Sequence, residues 1–221
     1  VLEKECVELN KRFMTFHGNG RPMVTLKWAQ SSDGYIGAAE GEPRAIISNS
    51  MTTMICHKRR AEHQAIMVGR RTALLDDPSL SVREWTGGSP VRVVVDRNNS
   101  LPRTLRLFDG SVPTIVIADM GCEGGSEIEG VEVVRVDFAG SVIAQALREL
   151  HARGVQTLLV EGGRELLQSF IDESLWDEAY VEISPCVMGG GTSAPMLKNA
   201  EKASEKEWFG HKIVEYMPKM P

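Results

Sequence analysis

The spacing of apolar residues along the chain switches repeatedly between a period of two and a period near 3.6, which predicts alternating strands and helices. Leu2, Cys6, Leu9 and Phe13 recur at steps of four, three and four, one face of a helix of about three turns that His17-Gly18-Asn19-Gly20 breaks. Met23 to Trp28 alternates, with Val24, Leu26 and Trp28 on one side and Thr25 and Lys27 on the other, and reads as a strand. Gln30 to Gly34 has turn composition, and Gly37 to Pro43 reads as a mobile loop. Ser48 or Ser50 can cap a helix lined by Met51, Met54, Ile55 and Lys58, with Arg59 and Arg60 in its last turn.

Ala65 to Val68 is a buried strand ending at Gly69, followed by a short helix that Thr72 could cap and Asp77-Pro78 would stop. Val91 to Asp96, Pro113 to Ala118 and Val131 to Val136 are further strands, with Cys122 to Gly130 an exposed loop. Ser141 begins a helix carrying Ile143, Ala146, Leu147 and Leu150, ended by Gly154. Leu158-Leu159-Val160 then runs into Glu161, the corner Gly162-Gly163-Arg164, and an amphipathic helix with Leu166, Leu167, Phe170 and Ile171. Ala179 to Ser184 alternates as a strand, Met188 to Thr192 makes a flexible corner, and Trp208 to Met217 is the last strand. No internal repeat or low-complexity linker divides the chain, so the pattern predicts an α/β fold with a largely parallel sheet and an antiparallel C-terminal part.

Composition narrows the partners. The 221 residues are 42% hydrophobic, enough for a sizeable core. A formal net charge of -5, with no basic run longer than Lys58-Arg59-Arg60, argues against nucleic acid and for a small molecule. No apolar stretch approaches the ~20 residues of a membrane span and no charged-then-apolar leader opens the chain, so a cytoplasmic protein is expected. Cys6, Cys56, Cys122 and Cys186 are too scattered for a disulfide framework and read as reduced, mostly buried thiols. The five histidines form no H-E-x-x-H and no zinc-type spacing, so no metal is expected.

The candidate chemistry gathers at two strand ends, Gly69 and Gly162-Gly163, which would share one edge of a parallel sheet. Glycines admit a ligand close to the backbone, and a helix N-terminus offers free N–H groups to a phosphate. Glu161 would face the same cleft; on spacing alone it could equally be a solvated cap on a simple turn. Lys27 could snorkel at the sheet edge, Arg60 could merely complement its helix dipole, and Arg83 could be a solvated surface residue. Neither G-x-G-x-x-G after the first strand, nor a P-loop, nor G-x-S-x-G occurs.

A resemblance decides among these readings. Leu26-Lys27-Trp28-Ala29-Gln30-Ser31-Ser32-Asp33-Gly34, Ile47-Ser48, Arg60-Ala61, Ala65 to Gly69, Thr72, Asp76-Asp77-Pro78-Ser79-Leu80, Arg83 and Leu159-Val160-Glu161-Gly162-Gly163 follow one another in order. Together they closely resemble the reductase domain of bacterial riboflavin-biosynthesis deaminase/reductases of the RibD type, from about Met23 to Met196. The resemblance implies a dihydrofolate-reductase-like α/β fold, a mixed, mostly parallel sheet flanked by helices. It also implies NADPH as hydride donor and reduction of 5-amino-6-(5-phosphoribosylamino)uracil to its ribitylamino product.

By position, it assigns Lys27 and Glu161 to the sugar as catalytic groups and Arg60, Leu80, Arg83 and Glu161 to the substrate, the two arginines taking the 5′-phosphate. Ala29, Thr72, Asp76, Gly162, Gly163 and Arg164, within a corner running to Ser169, fall to the cofactor. Where many relatives read S-Q-W-I-T, this chain has Arg44-Ala45-Ile46-Ile47-Ser48, so no contact is carried onto Arg44 or Ile46. The zinc signature of the deaminase half is absent; Pro185-Cys186-Val187-Met188 lacks its second cysteine. With Val1 in place of an initiator Met, this suggests residues 1-20 as a connector helix from a missing deaminase domain and 21-221 as the reductase domain. A homodimer through the C-terminal strands is also implied. The competing readings are a dihydrofolate or pterin reductase and a nucleotide-binding regulatory module on the same fold.

Overall fold

The predicted strand, glycine and helix units recur through the middle of the chain and build one large sheet. The computed structural model describes residues 2–39, 41–43, 45–123 and 128–219. Its strands are β1 (Met23–Gln30), β2 (Tyr35–Gly37), β3 (Ala65–Gly69), β4 (Val91–Val95), β5 (Thr114–Asp119), β6 (Val131–Val136), β7 (Thr157–Glu161), β8 (Glu178–Ile183), β9 (Thr192–Ser193), β10 (Ala200–Trp208) and β11 (His211–Pro218). The helices are α1 (Glu3–Leu9), α2 (Lys11–Asn19), α3 (Ser50–Ala61), α4 (Arg70–Asp76), α5 (Val142–Ala152) and α6 (Arg164–Asp172). Nine strands pair in the order β10-β11-β8-β1-β7-β3-β4-β5-β6. The seven from β8 to β6 run parallel, and β11 and β10 add an antiparallel hairpin, as expected for the fold class.

The pleat sends alternate residues to two different environments. Val24, Leu26, Trp28, Met67, Leu158, Val160 and Val181 join the larger apolar core with Ile143, Leu147 and Leu150 of α5 and Leu167 and Phe170 of α6. On the opposite face Ile66, Val68, Val94, Val116 and Leu159 pack with Leu101, Leu107 and Phe108. Beside that second cluster, under α3, the face turns polar: Thr25, Lys27, Glu161 and Glu182 point there, joined by His63, Arg60, Cys56 and Ser48.

Several local expectations are corrected. The opening helix is two helices: Asn10, at φ −105° and ψ 15°, leaves helical geometry between α1 and α2. Its apolar face lies outside, with Leu2, Cys6, Leu9 and Phe13 all exposed. α2 then runs through Gly18 and stops at the left-handed Gly20. Neither Ser48 nor Ser50 caps α3; Asn49 does, accepting from the Met51 and Thr52 amides. Thr72 lies inside α4, whose N-cap is Gly69. Only Cys56 of the four thiols is buried.

The last strand is one arm of a hairpin. Its partner β10 sits at the sheet edge with most side chains exposed, so no alternation marks it. Phe209 and Gly210 connect the arms, both at positive φ (51° and 79°), as a tight two-residue turn requires. Part of Gly37 to Pro43 is ordered, since Tyr35 and Gly37 pair with β9. Arg44 and residues 124–127 of the predicted Cys122 to Gly130 loop lie outside the described residues. Among the described residues no helix is long and apolar enough to cross a membrane.

Candidate active site

The register of β1 on β7 sets Lys27 directly opposite Glu161. α3 crosses above them and carries Cys56 and Arg60, four residues apart and so on one helix face. Arg60 Nη2 donates to Glu161 Oε2 at 2.7 Å and Nε to Oε1 at 3.1 Å, a bidentate pair, while Cys56 Sγ donates to Oε1 at 3.2 Å. The carboxylate side chain is only 11% exposed and its guanidinium partner 13%. Burial would raise the Glu161 pKa, but the Arg60 charge and bonds, helped by Lys27, hold it down to about 2. The same burial and the Glu161 charge push the Cys56 thiol up to about 11, so it stays an S–H donor and is no nucleophile. Burial would lower the Lys27 pKa, but Cys56, Glu161 and Glu182 raise it beyond its ordinary value and keep the ammonium charged. Two cations thus share a fixed anion at the end of two parallel strands.

A second element is pinned to the same helix. After α4 the chain turns through Asp77 and Leu80, both in the left-handed region (φ 38° and 53°). Leucine has no local compensation for that geometry, so a strain of about 1–3 kcal/mol must be held by its surroundings. The Leu80 side chain is anchored in the second apolar cluster. Arg60 Nη1 donates to the Ser81 carbonyl at 3.2 Å, and the Arg83 backbone N–H donates to His57 Nδ1 at 3.2 Å. The exposed Arg83 guanidinium folds back onto the hydroxyls of Ser79 and Ser81, the latter at 3.0 Å. Its charge is therefore displayed in a defined place.

The third element is the Gly162-Gly163 corner. Both glycines have positive φ (86° and 80°), and a Cβ on either would come within 3.3 or 3.2 Å of Thr72. The strand-to-helix turn thus lies directly on α4. No side chain caps α6 at Gly163, which leaves the first-turn amides available to an anion. From this edge α4 leads β3 to β4 while α6 leads β7 to β8, on the other side of β1. The adjacent strands β3 and β7 therefore send their chains in opposite directions, and the crevice between them is where open α/β sheets bind dinucleotides. The bare corner, with Thr72 packed against both glycines, and the uncapped helix leave room and free amides of the kind a diphosphate takes.

The structure brings Lys27, Glu161 and Arg60 together at one point, with Ala29 two residues further along β1 and opposite Glu182. Thr72, Gly162 and Gly163 meet at the neighbouring corner, where Arg164 is the exposed first residue of α6. Asp76 is the last residue of α4 and partly buried. Two expectations change. Arg60 is not an open phosphate clamp in this structure: its donors are directed to Glu161 and the Ser81 carbonyl, while Arg83 meets the Ser81 hydroxyl. Leu80 has its side chain in the core, so any substrate contact it makes comes from its backbone. Ile46 is 88% exposed.

Sequence reasoning missed Cys56, His57, Ser81 and Glu182. The first two stand four and three residues before Arg60, so helical spacing from that arginine was the available signal. Glu182 is buried, accepting from Ser48 Oγ at 2.7 Å and held to His211 Nδ1 at 2.8 Å. Nothing in its local sequence separates it from other strand carboxylates.

Known proteins share this architecture. Residues 22–214 match the model of the RibD C-terminal domain. Riboflavin biosynthesis protein RibD of Aquifex aeolicus is 34% identical over 195 residues, 87% of this chain and 54% of the relative. A 2,5-diamino-6-ribosylamino-4(3H)-pyrimidinone 5′-phosphate reductase of Archaeoglobus fulgidus is 36% identical over 84% of this chain and 90% of its own length. The chain thus spans about half the length of the RibD relatives and most of the length of the reductases. Among solved structures, a Thermotoga maritima diaminohydroxyphosphoribosylaminopyrimidine deaminase/5-amino-6-(5-phosphoribosylamino)uracil reductase superposes with a TM-score of 0.85 and 28% identity, covering 99% of this chain and 62% of that one. Enterococcus faecalis dihydrofolate reductase shares the fold at 16% identity and a TM-score of 0.52, covering 88% of this chain and 95% of its own. With a family model matched across nearly the whole sheet, the chain belongs to the RibD C-terminal domain family.

Proposed function

We propose that this chain is an NADPH-dependent reductase of riboflavin biosynthesis, converting a 5′-phosphorylated ribosylaminopyrimidine to its ribitylamino product. The observation that carries the reading is the Lys27, Glu161 and Arg60 cluster set in register beside the glycine corner. NADPH supplies the hydride when bound, and the Gly162-Gly163 corner with the α6 N-terminus and Thr72 are the groups that would hold its diphosphate.

A ribosylamine opens to an imine when its ring oxygen takes up a proton and the exocyclic nitrogen gives one up. The carbon that was anomeric then accepts hydride while the nitrogen takes a proton back, which restores the secondary amine. Lys27, kept as an ammonium, donates the proton at the ring oxygen. Glu161, kept ionised by Arg60, retains a lone pair on Oε2 for one ribose hydroxyl and fixes the sugar against β1 and β7. Arg83 takes the phosphate.

The test is NADPH oxidation by purified protein offered the deaminated uracil substrate and the undeaminated diaminopyrimidine in parallel. Turnover of either supports the reading and its identity settles the substrate; no oxidation with both, and no NADPH binding by calorimetry, sinks it. Dihydrofolate in the same assay separates the pterin alternative, and NADH in place of NADPH reads the cofactor preference. A homodimer belongs to the same proposal. The exposed β10 edge and the Trp208 and Phe209 side chains support pairing of two copies there; sedimentation of wild type as a dimer and of a Trp208→Glu variant as a monomer would bear it out, whereas a monomeric wild type or a dimeric variant would exclude that surface.

A further inference from the structure

His57 is buried to 2% exposure, although it belongs to neither the carboxylate cluster nor the glycine corner. Its Nδ1 accepts the Arg83 backbone N–H at 3.2 Å, which requires a ring with no proton on Nδ1 and one on Nε2. Nε2 lies 3.8 Å from the Glu84 carboxylate, the favourable sign of charge for that N–H. The neighbouring pin, Arg60 Nη1 on the Ser81 carbonyl, belongs to the same helix three residues on. Between the pins and the strained Leu80, the other ties of segment 79–83 among the described residues are Val82 N–H to Ser89 Oγ and the serine hydroxyls that meet Arg83. Held this way, the backbone fixes where the exposed Arg83 guanidinium rests, with Nη1 on the Ser79 and Ser81 hydroxyls.

We propose that His57 is a positioning residue for phosphate recognition, its neutral Nδ1 holding the Arg83 backbone so that the guanidinium is presented to the substrate 5′-phosphate. The inference rests on the reductase reading and extends it to a residue that touches no substrate. The charged groups facing the imidazole are Arg60 on its own helix, Arg83 and Glu84 on the loop, and Glu161 from β7. Burial first, then the two arginines, lowers the His57 pKa below its ordinary value, against the smaller opposing pull of the carboxylates. The ring is therefore neutral around pH 7. Protonation in the acid range would put a second N–H against the Arg83 amide, donor against donor, and release the loop.

The experiment is steady-state kinetics of the full chain with NADPH and the substrate, phosphorylated and dephosphorylated, from about pH 5 to pH 8. Wild type is compared with His57→Leu, His57→Asn and Arg83→Ala. His57→Leu is expected to raise KM for the phosphorylated substrate about tenfold at neutral pH, with kcat within about twofold, and to leave KM for the dephosphorylated one unchanged. His57→Asn places an amide oxygen near Nδ1 and is expected to restore KM; lacking a titrating ring, it should also escape the acid-side rise in KM that wild type shows. The phosphate itself titrates near pH 6 in every variant, so the ratio of wild type to His57→Asn is what is read.

An unchanged KM in His57→Leu, a loss of kcat equal for both substrates, or identical acid limbs in wild type and His57→Asn would overturn the proposal. Should the leucine variant not fold, the acid limb of the asparagine variant decides alone. Wild type without activity removes the reductase reading and this inference with it. An active wild type with a defective Arg83→Ala and a normal His57→Leu removes this inference only.

Discussion

The two faces of the central strands differ more than neighbouring residues on one chain ordinarily do. Leu26, Val160 and Val181 point into the α5 and α6 side and are entirely apolar in their surroundings; Lys27, Glu161 and Glu182, one residue further on, point under α3 into charge. The same backbone ladder carries both sets. Packing and chemistry are therefore divided by the pleat: a substitution on the apolar face should change stability with little effect on turnover, whereas on the polar face the Arg60–Glu161 ion pair contributes to both.

The largest effect expected on the polar face is that of Lys27→Ala. Loss of a positioned proton donor costs about 10²–10⁴-fold in turnover, while the apolar face keeps the fold intact. Rapid mixing with NADPH, together with calorimetry, should show kcat collapsing and cofactor affinity kept. Equal loss of both would mean that Lys27 organises the cleft rather than the reaction. The mirror experiment is Phe170→Ala on α6, whose side chain is fully buried in the larger core. Removing it should cost about 3–5 kcal/mol of stability, measured by urea unfolding, with kcat unchanged below the transition. A large fall in kcat of the folded variant would break the division between the faces.

Glu161 offers a pH test of the same division. Its carboxyl lies at about 2 in the folded protein against an ordinary 4.5. A depressed carboxyl stabilises the fold fully above the unfolded value, and that contribution fades as pH falls from about 4.5 through about 2. The difference corresponds to roughly 3 kcal/mol, shared with Arg60 and Lys27. Unfolding of wild type and Glu161→Gln should therefore differ most at neutral pH and converge on acidification. A gap that stays constant down to the acid range would show that the ion pair is not what separates them.

That division also explains what could be read beforehand. The parallel core was legible because Ala65 to Gly69 and Leu158 to Val160 are short apolar runs closed by glycine and followed by helix-spaced residues. β10 was not, because an edge strand of Glu, Lys, Ser and Ala has no buried side to impose alternation. The split between α1 and α2 lies in the backbone of one residue, Asn10, leaving helical geometry, which periodicity does not register. In the site, the glycine corner was visible in the strand-end pattern, and Lys27 and Glu161 took their roles from the family resemblance. The commitment of Arg60 to Glu161 was not, since it joins residues 101 positions apart and exists only once α3 lies across β7. Cys56 and His57 became visible only from Arg60 outward.

The smallest effect expected, and the one that tests where the faces join, is at Gly163. A Cβ there would stand 3.2 Å from Thr72 Oγ1 on α4 and 3.8 Å from Leu166 Cβ on α6, helices that belong to opposite sides of the sheet. Gly163→Ala combines that contact with a φ of 80°, a cost of about 1–2 kcal/mol per left-handed residue. The methyl group also intrudes where the cofactor diphosphate would meet the α6 amides, so NADPH affinity should fall while the Lys27 and Glu161 cluster, on the strands, is left in place. Thr72→Ala in the same background relieves the contact but not the backbone strain. It should recover part of the stability and none of the affinity lost to the methyl group; full recovery of both would place the whole penalty on the contact with α4.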